Sequence, residues 1–322
     1  MSVPLLALEG VTREFRVQSG LWGAAATLRA VDDVTLHVNR GETLGIVGES
    51  GCGKSTLARL VLRLIEPSAG AIRLEGTDIA HLSQSALRPL RRRVQMVFQD
   101  PNASLDPRMR AGDLVAEPLR VHRVASGVAL DARVAELFAS VGLRPDQRDN
   151  LPAQFSGGQR QRLAIARALA LDPDLVVADE PVSALDLSIR AQIVNLLLDL
   201  QAARGLTYLF IAHDLGLVRH VSDRIAVMYL GRVVETGPAE PLFRAPRHPY
   251  TRLLLEAVPR LDRRRRGRSA EEGGEVPSPL NPPAGCAFHP RCPRATALCR
   301  EERPVLRPLG EGIEAACHQP MG

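Results

Sequence analysis

A glycine-rich segment near the start of the chain constrains the possible folds more than any other feature. Residues 48–56 read Gly-Glu-Ser-Gly-Cys-Gly-Lys-Ser-Thr, follow the apolar run 43–47 and precede a helical pattern over 55–64. Glycines let backbone N–H groups turn inward around an anion, and the start of a helix favours negative charge. This succession of strand, loop and helix predicts an α/β fold with a phosphate-binding loop.

Every residue of this phosphate-binding loop is a candidate nucleotide contact. In a loop of this pattern the lysine reaches the β- and γ-phosphates, and the following serine holds Mg²⁺. We therefore expect Lys54 and Ser55 to have these roles. The candidate nucleotide-binding residues are Gly48, Glu49, Ser50, Gly51, Cys52, Gly53, Lys54, Ser55 and Thr56.

Two acidic residues end a second apolar run, and a histidine ends a third. Asp179 and Glu180 follow residues 175–178, and His213 follows residues 208–212. Short, continuous apolar runs are typical of buried parallel strands, whose carboxyl ends share one edge of the sheet. We expect Asp179 to bind Mg²⁺, Glu180 to act as general base on the attacking water, and His213 to contact the γ-phosphate.

Two further segments carry candidate site residues. Gln99 ends another apolar run and has the reach to contact Mg²⁺ and the water, although an ordinary polar strand end fits the pattern equally well. Residues 156–159 form a second glycine-rich helix start that lacks a lysine but offers N–H groups to an anion. Because the chain already has a phosphate-binding loop, we predict that this helix start binds the γ-phosphate held by a neighbouring subunit, with an ordinary serine N-cap as the alternative. Its residues are Ser156, Gly157, Gly158 and Gln159.

Apolar runs and helical patterns alternate along the rest of the chain. Helices are predicted over 128–141, 159–171 and 188–203, and strands over 175–178 and 208–212. This alternation predicts a parallel sheet covered by helices, with a helical insertion between the phosphate-binding loop and the carboxylates.

Composition excludes some classes of function and marks a boundary near the end of the chain. The 322 residues carry a net charge of +5 and 3% aromatics, too little of either to indicate nucleic-acid binding. No run approaches 18 apolar residues, and residues 1–20 do not resemble a signal peptide, so we expect a cytoplasmic protein. Residues 261–283 are rich in arginine, glycine and proline, which predicts a linker. Residues 284–322 hold four of the five cysteines.

Taken together, these motifs resemble those of the ATP-binding cassette (ABC) ATPases, and the resemblance covers nearly the whole chain. Six segments follow the order of the family's motifs. They are residues 48–56 (Walker A), Gln99 (Q-loop), 155–159 (signature), 175–180 (Walker B), 183–186 (D-loop) and His213 (switch histidine). Phe155 stands where the family usually has leucine.

The resemblance implies the fold and the domain order. The fold is α/β: a P-loop NTPase core of mostly parallel sheet, with an antiparallel β subdomain, a helical insertion subdomain and a small cysteine-containing C-terminal extension. The domains are a nucleotide-binding domain over 1–260, with its helical subdomain at about 100–170, a linker over 261–283 and the extension over 284–322. An aromatic residue stacks on adenine in this family; Phe15 is the better candidate and Trp22 the second.

Within this superfamily the chain resembles the ATPases of oligopeptide and dipeptide importers, the OppF/DppF family. The resemblance rests on residues 98–107, 180–186 and 248–251, and on the tail from Pro282 to Pro293. It implies a peripheral subunit on the cytoplasmic face of the membrane that hydrolyses ATP to power peptide import. The implied partners are a second ABC ATPase in a heterodimer, two permease subunits docked near Gln99, and indirectly an extracytoplasmic peptide-binding protein. Import of nickel or another small solute, and a soluble ABC ATPase, are the alternatives.

The four cysteines of the tail suggest a metal site. Cys286, Cys292, Cys299 and Cys317 lie in a segment too small to fold alone, where a metal or cluster would stabilise the structure. Their spacing lacks the paired CxxC of common zinc sites. The resemblance to peptide importers implies a [4Fe–4S] cluster on these four residues, with zinc or unligated thiols as alternatives.

Overall fold

The computed structural model describes residues 3–18, 25–257 and 275–322, which fall into two compact units. The first unit contains the described residues up to Val38, residues 43–81 and those from Ile211 onward. The second contains residues 39–42 and 82–210. Residues 261–274 of the predicted linker lie outside the described residues.

Twelve strands are found in the described residues. They are β1 (Leu6–Gln18), β2 (Ala25–Val38), β3 (Thr43–Val47), β4 (Ala69–Leu74), β5 (Thr77–Asp78), β6 (Val94–Val97), β7 (Leu175–Asp179), β8 (Thr207–Ile211), β9 (Arg224–Tyr229), β10 (Arg232–Pro238), β11 (Arg307–Pro308) and β12 (Glu314–Ala315).

Eleven α-helices accompany these strands in the same part of the chain. They are α1 (Lys54–Val61), α2 (Gln84–Leu90), α3 (Pro101–Ser104), α4 (Ala111–Val121), α5 (Gly127–Ser140), α6 (Gly157–Leu169), α7 (Leu187–Arg204), α8 (Leu215–Val221), α9 (Ala239–Arg244), α10 (Pro249–Glu256) and α11 (Ala297–Glu301). In these residues no helix has both the length and the apolar character that crossing a bilayer requires.

The first unit combines an antiparallel sheet with the strand that leads into the phosphate-binding loop. Strands β2, β1, β4 and β5 form the antiparallel sheet in that order, as expected of the β subdomain. Strand β3 pairs in parallel with β9, and β9 pairs antiparallel with β10. All five residues of β3 are buried, as its apolar sequence predicts.

The C-terminal extension is tied into this first unit by backbone pairing. Strand β12 pairs antiparallel with β10, joining Glu235 to Ala315 and Thr236 to Glu314, and β11 adds to β12. The side chains of Phe288 and Ile313 are buried. The extension therefore contributes strands and apolar side chains to the unit that holds the phosphate-binding loop.

The second unit contains the predicted helical region and a parallel pair of strands. Its strand order is β8, β7, β6, with Val94 opposite Leu175 and Val97 opposite Ala178 in the parallel pair β6–β7. Because both strands run in the same direction in this register, the residues that follow Val97 and Ala178 leave the sheet at the same edge.

Several predicted helix bounds differ from the structure by one to three residues, and two of these differences have identifiable reasons. Helix α6 begins at Gly157 rather than Gln159, because Ser156 and Gln159 form a reciprocal capping box that starts the helix earlier. Helix α1 ends at Val61 rather than residue 64, because Arg63 adopts a left-handed backbone conformation with φ of 50°. The predicted strand 175–178 extends one residue further, so that Asp179 is its last member.

Candidate nucleotide site

The phosphate-binding loop connects β3 to α1 in the first unit, as its sequence predicts. Helix α1 starts after Gly53, whose φ is 106°, and no side chain caps its first turn. The first amides of a helix lack partners within the helix, so this end of α1 is suited to an anion. The Lys54 ammonium is buried and donates to the carbonyls of Gly48 and Glu49 at 2.7 and 2.9 Å.

Two glycines of the loop pass so close to other backbone that a side chain would not fit. A Cβ on Gly48 would lie 2.2 Å from the carbonyl oxygen of Met228 in β9. One on Gly53 would lie 2.1 Å from the carbonyl oxygen of Ala30 in β2. The carbonyl of Cys52 also accepts a hydrogen bond from Gly231 N at 2.8 Å. The strands around the loop therefore fix its backbone path.

Glu49, the second residue of the loop, is held through both its backbone and its side chain. Its N–H donates to the Tyr250 hydroxyl at 2.9 Å, and its carboxylate accepts two hydrogen bonds from Arg291 at 2.7 and 2.9 Å. Both partners belong to the same unit as the loop. The loop is thus attached to α10 and to the C-terminal extension.

His213 follows β8 within the first unit. The N–H of Ala212, its predecessor, donates to the carbonyl of Ile46 in β3 at 3.2 Å. This bond places His213 near the end of β3 where the phosphate-binding loop begins. The His213 side chain is exposed.

In the second unit the structure brings Gln99 and Glu180 together. The Gln99 amide donates to a Glu180 carboxylate oxygen at 3.0 Å, as the parallel register of β6 and β7 allows. Asp179 is buried at the end of β7. Glu180 has a left-handed backbone conformation with φ of 48°, which non-glycine residues adopt at a cost of about 1–2 kcal/mol. Its carbonyl accepts from the N–H and hydroxyl of Ser183.

The second glycine-rich helix start lies in the second unit at the start of α6. Ser156 is exposed, its hydroxyl oxygen accepts from Gln159 N at 3.3 Å, and its N–H donates to the Gln159 side chain at 2.9 Å. A Cβ on Gly158 would lie 2.6 Å from the Ile189 side chain in α7. The helix start is therefore held by its capping box, and Gly158 packs closely against α7.

Of the two aromatic candidates for adenine stacking, Phe15 belongs to the described residues. Phe15 lies half-buried in β1, with the Arg13 guanidinium 4.7 Å from its ring centre. Trp22 lies outside the described residues. The assignment of Phe15 as the stacking residue stays a prediction.

In the described residues the four tail cysteines are free thiols and are not arranged as a metal site. Among the residues that the structure describes, no group of three or more His, Cys, Asp or Glu side chains is arranged to hold a metal ion. Burial raises the pKa values of Cys286 and Cys292, and raises that of Cys317 to about 11. The arrangement of the four thiols in the described residues does not support the predicted [4Fe–4S] cluster.

Comparison with known proteins identifies the family. A model described as ABC transporter matches residues 31–183, and one described as the C-terminal region of oligopeptide/dipeptide transporters matches residues 234–299. The di/tripeptide transport ATP-binding protein DppF of Pseudomonas aeruginosa is 48% identical over 98% of this chain and 97% of its own. The oligopeptide transport ATP-binding protein AppF of Bacillus subtilis is also 48% identical, over 98% and 97%.

This chain belongs to the ATP-binding subunits of ABC transporters. Its fold agrees with solved structures of the family. A dimeric ATP-binding cassette in a post-hydrolysis state, bound to ADP and Pi, has a TM-score of 0.65 and 31% identity. The match covers 73% of this chain and 99% of that cassette. The prediction of an ABC ATPase with an α/β fold is confirmed.

Sequence reasoning missed two residues that contact the loop of this ABC subunit. Arg291 lies between Cys286 and Cys292, and no local motif marks it as a contact of the loop. Tyr250 belongs to the segment His248-Pro249-Tyr250-Thr251, which supported the resemblance without being given a role. Neither contact follows from local sequence, because Tyr250 and Arg291 lie 201 and 242 residues from Glu49.

We predict that Gly53→Ala weakens MgATP binding by about tenfold or more. The added Cβ would clash with the Ala30 carbonyl of β2. Because a backbone atom in a strand cannot rotate away as a side chain can, the loop must shift. The matched control is Gly41→Ala: it has a similarly left-handed φ of 73° with nothing within 4 Å, and lies outside the loop. Titration with a fluorescent ATP analogue gives the Kd. Wild-type affinity in Gly53→Ala would show that the close contact with Ala30 does not shape the loop.

Proposed function

We propose that this protein is the ATP-hydrolysing subunit of an ABC importer for oligopeptides or dipeptides. The observation that carries the proposal is the near full-length similarity to relatives named as peptide transport ATP-binding proteins, together with the match of the C-terminal region. A soluble ABC ATPase would not account for that C-terminal match.

The phosphate-binding loop would hold the ATP phosphates through its backbone amides, Lys54 and the uncapped start of α1. Three features support this role: the tight backbone path at Gly48 and Gly53, the burial of the Lys54 ammonium, and the absence of a side-chain cap on α1. Ser50, Gly51 and Thr56 complete the candidate loop, and Phe15 is the candidate for adenine stacking.

The second unit would supply the groups that act on water. Glu180 is the candidate general base, and its hydrogen bond with Gln99 supports a shared role in orienting the attacking water. His213, which follows β8 in the first unit, is the candidate contact for the γ-phosphate. The strained backbone of Glu180 is of a kind found where function rather than stability decides a conformation.

The side chains of Ser55, Asp179 and Gln99 are suited to bind Mg²⁺. A serine hydroxyl, a carboxylate and an amide oxygen are hard oxygen donors of the kind that Mg²⁺ prefers. Ser55, Asp179 and Gln99 would hold the ion, which would neutralise charge on the phosphates.

A second ABC ATPase subunit would complete each nucleotide site. The Ser156 helix start lies in a chain that already has its own phosphate-binding loop, and it offers amides and a hydroxyl to an anion. We propose that it faces the γ-phosphate bound by the other subunit of a heterodimer. ATP binding would then close the dimer, and hydrolysis would reopen it.

Two membrane permeases would convert this closure into transport at the cytoplasmic face of the membrane. Residues 99–105 are the candidate docking surface, and the exposed side chain of Phe98 beside them supports a protein contact there. An extracytoplasmic binding protein would deliver the peptide to the permeases. We propose no nucleic-acid partner for this protein.

We predict that Glu180→Gln retains ATP binding but lowers ATP turnover at this chain's site by about 100-fold or more. Loss of a general base commonly costs 10²–10⁴-fold in rate. Turnover and retention of labelled ATP are measured in the transporter reconstituted with its permeases, binding protein and second cassette. Because that cassette keeps its own glutamate, retention of unhydrolysed ATP on this chain is the sharper measurement.

Peptide uptake into the same proteoliposomes tests the transport part of the proposal. Glu180→Gln should reduce uptake, whereas Glu240→Gln, which alters an exposed glutamate paired with Arg219, should not. Hydrolysis at the wild-type rate in Glu180→Gln would contradict the assigned role. MgATP-dependent turnover that no peptide stimulates would contradict the cargo.

We further propose that Cys286, Cys292, Cys299 and Cys317 hold a [4Fe–4S] cluster or, as the alternative, zinc. The proximity of these thiols supports this: Cys286 N donates to the Cys299 carbonyl at 2.8 Å, and the neighbouring thiols help to raise the pKa of Cys317. The four side chains would have to rearrange to coordinate a [4Fe–4S] cluster or zinc.

Elemental analysis of the full chain purified without oxygen tests this ligand assignment. We predict about four iron atoms or one zinc ion per chain, lost in a variant with all four cysteines replaced by serine. Cys52→Ser, which alters the remaining cysteine, should keep the metal. A wild-type chain without iron or zinc would leave the thiols unligated and contradict the proposal.

A further inference from the structure

We propose that Arg291 is a positioning residue for the phosphate-binding loop and makes the C-terminal extension part of the nucleotide site. The proposal rests on the function inferred above, because it assumes that the loop binds ATP. Arg291 itself is not placed against the phosphates; it would act through Glu49.

The contact between Arg291 and Glu49 is a two-point ion pair. The two guanidinium N–H groups donate to the two carboxylate oxygens at 2.7 and 2.9 Å, with 6% of the Arg291 side chain and 27% of the Glu49 side chain exposed. Such pairs fix both the orientation and the distance of the two side chains, and dissolved salt screens them little when they are largely buried. The hydrogen bond to Glu49 also raises the pKa of Arg291.

The Arg291 side chain packs against a buried aromatic cluster formed by Tyr229, Tyr250 and Phe288. The guanidinium carbon lies 5.7 Å from the ring centre of Phe288 and 5.9 Å from that of Tyr229. The Tyr250 ring lies 4.6 Å from Tyr229 and 5.4 Å from Phe288. All three aromatic residues are at most 2% exposed, so the arginine packs against a buried surface.

The same cluster holds the backbone of Glu49. The Tyr250 hydroxyl accepts from Glu49 N, while Arg291 binds the carboxylate of that residue. Glu49 is therefore restrained at two points, one from α10 and one from the extension. Loss of either contact would allow the loop to move where its amides must meet phosphate.

Charge gives the ion pair a second effect on nucleotide binding. A carboxylate within a loop that binds a triphosphate would repel it unless a cation neutralised the carboxylate. Arg291 supplies that cation, so the negative charge of the Glu49 carboxylate is paired. Removal of Arg291 would therefore both loosen the loop and add repulsion.

Other contacts attach the extension without touching the loop, which makes a matched control possible. The pair β10–β12 joins it by backbone, and Arg244 pairs with Glu311 at 3.0 Å, with 70% and 48% of the side chains exposed. Arg244→Met would weaken attachment of the extension but leave Glu49 and its partners intact.

The test compares Arg291→Met, Arg291→Lys and Arg244→Met in the full chain. We expect Arg291→Met to raise the Kd for MgATP by about tenfold or more, since hydrogen bonds to charged groups are worth at least that factor. Arg291→Lys, which keeps the charge but not the two-point geometry, should give a smaller rise, and Arg244→Met should give none. In the reconstituted transporter Arg291→Met should raise KM for ATP with kcat nearly unchanged.

Hydrogen exchange distinguishes positioning from general stability. Exchange in the peptide covering residues 48–56 should increase in both Arg291 variants and remain at the wild-type rate in Arg244→Met. If Arg291→Met does not fold, Arg291→Lys provides the same comparison.

Each failure has a distinct signature. Wild-type Kd and loop exchange in the Arg291 variants, or an equal change in Arg244→Met, would overturn the positioning role. If Lys54→Ala binds MgATP as tightly as the wild type, the proposed function itself fails, whatever Arg291 does.

Discussion

The backbone path of the phosphate-binding loop is the constraint on which the rest of the structure depends. Gly48 passes against the carbonyl of Met228 and Gly53 against that of Ala30, and neither position has space for a Cβ. Because β2 and β9 lie against the loop, only glycine fits at these two positions. The surrounding strands therefore define the path of a loop whose own residues are mostly small.

In the second unit, strand register and local backbone strain determine where Gln99 and Glu180 lie. The parallel pairing of β6 and β7 brings Gln99 to Glu180, and Glu180 adopts a left-handed backbone conformation that is costly for a residue with a side chain. The Ser183 contacts with the Glu180 carbonyl help to hold that conformation. Neighbouring contacts thus offset the conformational cost at this residue.

Much of the fold could be predicted from local sequence, because apolar runs and capping residues act over short distances. The bounds of β3 matched the prediction, and the family followed from the order of the motifs. The start of α6 was placed two residues late, although Ser156 and Gln159 carry the capping signal. The pairing of Arg291 with Glu49 and of β12 with β10 could not be predicted, since both join segments that only the folded chain brings together.

The central claim is that two subunits complete each nucleotide site, and chain-specific labelling tests it most directly. The assembled transporter is labelled with a photoreactive ATP analogue after Ser156→Arg is introduced in this chain alone. Ser126→Arg, at the serine that precedes Gly127 and α5, is the control. The account predicts reduced labelling of the second cassette and unchanged labelling of this chain. Loss of labelling on this chain, with the second cassette unaffected, would contradict it.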